Sequence, residues 1–516
     1  MVNILISGYY GFDNIGDESI LRTLVSSLRE HIPDCSLTVL SHNPASTREK
    51  YGVEAVDRMS PMAILRAVKK CDMLISGGGS LLQDVTSSKS LHYYLSIIRC
   101  AEFFHKKVFI YSQGIGPIDR PGNRRAAAAA LKRADGIVVR DERSAALLEE
   151  IGIARDKVVI TADPVIRMKK PDGDVGAEIL RKAGVSLDGR LTVGWAIRER
   201  DTDSRFVKEL LRSIQMMKDK YNAQSVLIPF HYEEDGEVCR HIAAQLPDDT
   251  AVCLNEKYLS EDMLSIIGNM DLLVGVRLHS LIYAAIMGVP LIGISYDPKC
   301  TAFLNSVGLD KLSTKENFTA ELFLPEAERV LETGKEQVQC VEAHMAKLSR
   351  KLDTNEKMIC AIMEKSRKHT MQDPQNNTEK KDKSGVRTAG AISFVFLLTL
   401  FAKLLGVVRE MMQANIFGTG IDADLYTASY NSTLYLFTTM CYALCIAAVP
   451  ILTKEFAADR KHGEKAANNL LTITLLGSLA AVVLWQIFAS TPLVGTIWDL
   501  DAAELPRLAS YIRILA

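Results

Sequence analysis

The sequence predicts an α/β fold of two Rossmann-like parallel-sheet halves, followed by an all-α transmembrane segment. Three observations lead there. Short apolar runs alternate with amphipathic stretches as far as residue 368, the rhythm of parallel strands covered by helices on both faces. The polar stretch "KKPDGDVG" (169–176) interrupts that rhythm near its middle, and one core rarely extends over so long a chain, so the rhythm divides into two sheets. At Thr388 the composition changes abruptly to three apolar segments, each long enough to span a bilayer. The expected organisation is an N-terminal half (1–170), a C-terminal half (171–368), a polar linker (369–387) and a partial membrane domain (388–516).

The first half opens on the strand "VNILIS", which leads through a glycine-rich turn into the amphipathic "DESILRTLVSSLREHI". Strands then follow at "SLTVLS", "DMLISGG", "KVFIYSQG", "DGIVVRD" and "KVVITADP", with helices such as "NRRAAAAALKRA" between them. The second half repeats the pattern with "LTVGWAI", "SVLIPF", "DLLVGV" and "PLIGIS". No basic leader precedes the first strand, so this part is expected in a reducing cytoplasm. The 10 cysteines have no paired metal spacing and are expected as free thiols; Cys441 and Cys445, one helical turn apart in an apolar run, read as packing residues. A net charge of −1 argues against nucleic acid as a partner.

Open parallel sheets bind ligands beyond the carboxyl ends of their strands, so the residues after each apolar run carry the functional information. After the first strand, "ISGYYGFDNIGDESI" brings Gly8, Gly11 and Gly16 together with Asp13 and Asn14 at a helix amino terminus, an environment that favours anions. The spacing is neither G-x-G-x-x-G nor a P-loop. A plain turn with Asp17 as its N-cap is the competing reading; Asp13 and Asn14 between the glycines favour a site. "SGGGSLLQD" repeats the arrangement with Gly78, Gly79 and Ser80. "YSQGIGPI" offers Gln113, Gly114 and Gly116, and "VVRDERSA" places Arg140 directly after a strand, while Arg143 reads as a solvated helix residue. In "VGVRLHSLIYAAIMGVPLIGISYDPK", Arg277 and His279 follow one strand, and Lys299 follows the next after Tyr296 and Asp297. Guanidinium and ammonium beside a helix amino terminus suit a compact dianion, with His279 as the natural proton donor. "DTD" (201–203) and "HYEEDGE" (231–237) read as solvated acidic loops rather than metal sites.

Beyond the linker, the apolar segments 389–408, 433–452 and 470–489 are joined by loops of alternating charge. The linker is basic, and so is the loop carrying Lys454, Arg460, Lys461 and Lys465; "GTGIDAD" and "TIWDLDAAE" are acidic. The positive-inside rule then places the first two domains in the cytoplasm, attached to a multi-pass membrane part. Three spans, with the sequence stopping at an apparent helix start, are expected to be part of a larger bundle.

Taken together, "GYYGFDNIGDE", "SGGGSLLQD", "SQGIGP", "VVRDERS", "ADP" and "VRLHSLIYAAIMGVPLIGISYDPK" resemble the polysaccharide pyruvyl transferase family, CsaB type, over about residues 1–350. The resemblance implies a GT-B-like fold and transfer of pyruvate from phosphoenolpyruvate, the co-substrate; no further cofactor is expected, and no residues are assigned to a metal. The acceptor it implies is a sugar of a lipid-linked cell-wall glycan, typically N-acetylmannosamine, which receives a 4,6-ketal that anchors surface-layer proteins. Arg277, His279 and Lys299 would hold the phosphate and Arg140 the carboxylate; His279 would be the acid and Asp13 the hydroxyl base. The segment 388–516 resembles the start of MviN/MurJ-type lipid flippases through "AKLLGVVREMMQANIFGTGIDADLYTASY" and "AAVPILTKEF". There, Lys403 and Arg409 would face a cavity and engage a lipid diphosphate, with snorkelling as the plainer account of Arg409. Charged positions expected in the second span are replaced around "STLYLFTTMCYALC". The rival readings are a GT-B glycosyltransferase using a nucleotide sugar, and a membrane transport or scaffold protein whose soluble half only binds a ligand.

Overall fold

The computed structural model describes residues 2–85 and 87–372, together with 425–431, 433–434, 438, 452, 460–488, 491 and 505–515. It divides into two compact units, Met1–Pro374 and Gln375–Ala516. In the first unit, strands and helices alternate as β1 (Val2–Tyr10), α1 (Ile15–His31), β2 (Cys35–Ser41), α2 (Pro44–Tyr51), β3 (Glu54–Asp57), α3 (Pro61–Lys70), β4 (Met73–Ser76), α4 (Ser88–Phe103), β5 (Lys107–Gln113), α5 (Pro121–Leu131), β6 (Gly136–Val139), α6 (Glu142–Glu150) and β7 (Val158–Ile160). The series resumes with α7 (Val175–Lys182), β8 (Thr192–Ala196), α8 (Arg205–Tyr221), β9 (Gln224–Leu227), α9 (Tyr232–Gln245), β10 (Ala251–Cys253), α10 (Ser260–Gly268), β11 (Leu272–Gly275), α11 (Leu278–Met287), β12 (Leu291–Ser295), α12 (Pro298–Ser306), β13 (Ser313–Thr314) and α13 (Ala320–Gln372).

The strands form two parallel sheets, ordered β3-β2-β1-β4-β5-β6-β7 and β10-β9-β8-β11-β12-β13. Central strands such as β4, β8 and β11 are buried along their whole length, which is why they read as unbroken apolar runs. In each order the chain reverses direction beside its first strand, at β1/β4 and β8/β11, the position where such sheets open a crevice for ligands. The ten apolar runs all become strands. The three strands without such a run, β3, β10 and β13, are edge strands of only 4, 3 and 2 residues. A segment that short has no room for a period.

The halves share a core. Ile15, Ile20, Val165 and Ile166 from the first pack in one cluster with Leu264, Leu281, Tyr283 and Leu304 from the second. The hydroxyls of Ser19 on α1 and Tyr283 on α11 hydrogen-bond across the junction, and Ile15 N donates to Phe230 O at 3.3 Å. The helix α13 begins against the second sheet and ends on the first. There Asn355 donates to Ser112 Oγ at 2.9 Å, Tyr111 OH donates to Glu356 at 3.1 Å, and Ile359 is fully buried. The residues expected to close the second half therefore complete the core of the first.

In the second unit, the helix α14 (Arg460–Phe488) contains Ala466–Phe488, the one span among the described residues long and apolar enough to cross a membrane, with a mean hydropathy of 2.0. It coincides with the third apolar segment. The first segment, with Lys403 and Arg409, lies outside the described residues, as does most of the second.

Candidate active site

Between the carboxyl ends of the two sheets lies a cleft of about 670 Å³. Asn14 opens it from the first half: its side chain accepts from Gly16 N at 3.0 Å and caps α1, while its backbone forms an antiparallel bridge with His231 of the second half. With Asn14 as the cap, Asp17 sits in the first helical turn and lines the cleft instead of capping the helix.

Arg140, Asp163 and His279 form the centre. Arg140 follows β6, with its side chain only 6% exposed; Nη1 donates to Asp163 Oδ2 at 3.0 Å, and Nη2 to Ser80 Oγ at 3.0 Å. Burial by itself would lower the guanidinium pKa, but Asp163 and Asp141 outweigh it and raise it, so the charge is fixed. Gly114 is required here, because a Cβ at that position would lie 2.5 Å from Arg140 Nη2. Asp163 holds its own geometry with the second oxygen, which accepts from Val165 N at 3.1 Å.

His279 stands in the first turn of α11, with Nε2 3.9 Å from Asp163 Oδ2 and no hydrogen-bond partner. Its ring lies on Gly16 of α1, where any Cβ would overlap it. Burial brings its pKa down to about 4; Arg140, Lys299 and Arg277 push the same way, against the opposing pull of Asp163. The ring is therefore neutral at pH 7.

Arg277 occupies the N-cap position of α11, between β11 and the helix. It is paired with Asp235, itself 1% exposed, and lies 3.6 Å from Glu234. Its Nε has no partner. Lys299 projects from the first turn of α12, 3.6 Å from Asp297 and 5.7 Å from the Tyr296 ring centre. Arg198, just beyond β8, also lines the cleft, with its guanidinium carbon 4.5 Å from the Tyr296 ring centroid.

The cleft thus gathers Arg140, Arg277, His279 and Lys299 with Asn14, Gly16, Gly79, Ser80 and Gly114. Five residues expected at the site lie elsewhere. Gly8 makes room for the ring of Tyr10, and Gly78 for Ile20. Gly11 turns the chain at φ 80° and donates to Glu18 at 2.8 Å. Gln113 is fully buried, tying β5 to the end of β4 through Ser76 Oγ at 2.7 Å and to the residue after it through Gly77 O at 2.6 Å. Asp13 lines a separate cavity of about 300 Å³, held by Lys50 at 3.2 Å and Lys257 at 3.4 Å. Burial would raise its carboxyl pKa, but these two ammonium groups outweigh that and lower it.

Sequence reasoning also passed over several cleft residues. Asp163 and Arg198 each follow an apolar run, so the strand-tip rule could have found both. The "HYEEDGE" stretch is not a solvated loop: Asp235 is buried on Arg277, and His231 and Glu234 line the cleft. The signal there was the acidic first turn of a helix that follows a strand end. Arg143 is exposed, as its sequence context indicated, and reaches the rim.

The family model described as "Polysaccharide pyruvyl transferase" matches residues 14–298, more than half of the chain. The chain is similar to the Amylovoran biosynthesis protein AmsJ of Erwinia amylovora, 21% identical over 370 residues covering 61% of this chain and 88% of that protein. Among solved structures, Anabaena Alr3699/HepE shares the fold. Its complex with UDP-glucose superposes with a TM-score of 0.50 at 11% identity, and its complex with UDP with a TM-score of 0.50 at 10% identity. Both alignments cover 71% of this chain and 100% of that one.

Proposed function

Because the chain belongs to the polysaccharide pyruvyl transferase family, we propose that it moves the pyruvyl group of phosphoenolpyruvate onto a sugar of a polysaccharide precursor, forming a cyclic ketal. The observation that carries this reading is the convergence of Arg140, Arg277, Lys299 and His279 on one cleft. Phosphoenolpyruvate has a phosphate and a carboxylate, so it needs positive charge at two places. In this reading Arg277 and Lys299 bind the phosphate and Arg140 the carboxylate, each as a charge-assisted hydrogen-bond donor.

The His279 ring by itself is neutral at pH 7. A dianion among the cations cancels their effect on the ring and draws its pKa upward, so binding itself loads the proton. Protonation of C3 then leaves C2 electron-poor and open to a sugar hydroxyl. N-acetylmannosamine as the acceptor, a 4,6-ketal as the product and surface-layer anchoring as its use belong to this proposal. So does a polyprenyl-linked acceptor reached from the membrane, with the helix Ala466–Phe488 as part of the anchor and the flippase-like segment, with Lys403 and Arg409, handling the lipid diphosphate.

The test uses the full chain in detergent with phosphoenolpyruvate and a lipid-linked N-acetylmannosamine acceptor. Phosphate release together with the mass gain of one pyruvyl ketal, both dependent on acceptor, is the expected result. Consumption of a nucleotide sugar without phosphoenolpyruvate would instead support the glycosyltransferase reading, which draws on the UDP-glucose complex of the Anabaena neighbour.

A further inference from the structure

Ketal formation requires a group that takes a proton from the acceptor, and Asp13, held by two lysines beside another cavity, is not in the cleft. The structure offers a different carboxylate. Asp17 lines the cleft from the first turn of α1 and, among the described residues, its side chain has no hydrogen bond or ion pair. The other carboxylates lining the cleft are engaged: Asp141 caps α6 through Ser144 and lies 3.5 Å from Arg140, Glu234 pairs with Arg200 at 3.0 Å and lies 3.6 Å from Arg277, and Asp297 accepts from Lys299 N at 3.0 Å. Just behind the cleft wall, Asp163 is held by Arg140 and Asp235 by Arg277. Gly79 keeps the face of Asp17 clear. It adopts φ 92°, and a Cβ there would lie 3.0 Å from Asp17 Oδ1.

We propose that Asp17 is the base that takes the proton of the acceptor hydroxyl attacking C2, an inference that rests on the pyruvyl-transfer reading. The balance is as follows. The sugar oxygen bonds to C2 as Asp17 accepts its proton, while C3 gains a proton from His279. The C2–O bond to phosphate then breaks, the second hydroxyl bonds to C2, and its proton leaves with the phosphate. One hydroxyl proton thus replaces the one given to C3 and the other departs on phosphate, with no redox change.

The groups facing Asp17 suit the role. Glu18 adjoins it on α1, and Tyr9 and Tyr10 on β1, Tyr94 on α4, Arg140, Asp163 and Lys299 are close enough to act on it electrostatically. Burial raises its pKa to about 7, against the pull of Lys299 and Arg140, so the carboxylate can both accept and release a proton near neutrality.

The experiment compares the full chain with Asp17→Asn and Asp17→Glu, following acceptor-dependent phosphate release from pH 5.5 to 9 (roughly the range in which such a base titrates) and phosphoenolpyruvate binding by calorimetry. Asp17→Asn should lower kcat by about 100-fold or more and abolish the acidic limb of the kcat profile, while phosphoenolpyruvate affinity stays near wild type and thermal stability is equal to or above that of wild type. Asp17→Glu, which retains a carboxylate, should retain a titrating limb. A kcat of Asp17→Asn close to wild type, or an unchanged acidic limb, overturns the assignment. Loss of phosphoenolpyruvate binding in both variants overturns it too, by showing a structural role. A wild-type chain that releases no phosphate with any acceptor overturns the pyruvyl-transfer reading, and this inference with it.

Discussion

Replacing Asp163 with Asn isolates the central ion pair of the cleft. Asp163 and Arg140 side chains are 5% and 6% exposed, so solvent cannot take over when one charge is removed. Asn can still accept from Val165 N, which preserves the turn, but its amide then meets Arg140 Nη1 as donor against donor. Breaking a buried pair by removing one partner costs about 3–5 kcal/mol, since it strands the other charge. Arg140 retains Asp141 at 3.5 Å and Ser80 Oγ at 3.0 Å, so the expected cost falls near the lower end, about 3 kcal/mol. Urea unfolding of the full chain in detergent measures it. In a Trp485→Phe, Trp498→Phe background, Trp195 on β8 reports the first unit, whose halves unfold together because they share a core. Arg140→Met combined with Asp163→Leu should recover most of the loss, because no charge is then left buried. A cost for Asp163→Asn below about 1 kcal/mol, or single-variant costs that simply add in the double variant, would refute the account.

Arg277→Met should destabilise the fold more than Lys299→Met. The first strands the buried Asp235, whereas Lys299 is 26% exposed and only loosely paired; both should weaken phosphoenolpyruvate binding by about 10-fold or more, a loss of about 1.5–3 kcal/mol. Gly16→Ala forces the His279 ring aside, and should lower stability by about 1–3 kcal/mol and kcat with it, as thermal melts and phosphate release would show. The two shifted groups act oppositely on stability. His279 falls from 6.5 to about 4 on folding, so its contribution is lost as pH drops through that window; Asp17 rises from 3.8 to about 7, so its contribution is lost as pH climbs through that one. Urea unfolding between pH 4 and 6.5 should therefore show His279→Gln losing stability with rising pH and Asp17→Asn gaining it, relative to wild type. Phosphoenolpyruvate binding near pH 6 should take up close to one proton in wild type and much less in His279→Gln, seen as a dependence of calorimetric heat on buffer ionisation.

The strand-tip rule recovered Arg140, Arg277, His279 and Lys299 because in a parallel sheet every chain segment delivers the residue after its last buried position to the same edge. Glycine patterns were less specific. Gly16 and Gly114 admit the cleft side chains of His279 and Arg140 from distant segments, while Gly8 and Gly78 admit only Tyr10 and Ile20, and nothing in the local sequence separates the two uses. Asp13 and Asp17 show the same limit within one loop: four residues apart, they face different cavities, a consequence of Asn14 taking the cap and bridging to His231.

By itself, then, the sequence determined the two parallel sheets and the strand ends at which the cleft opens, because burial periodicity and strand ends are local properties of the chain. Only the tertiary structure decided which charges remain available. Asp163 and Arg140, Asp235 and Arg277, His279 and Gly16 are each brought together from separate segments. A carboxylate held by an arginine and one left free read alike in sequence, and differ only in what folding packs beside them.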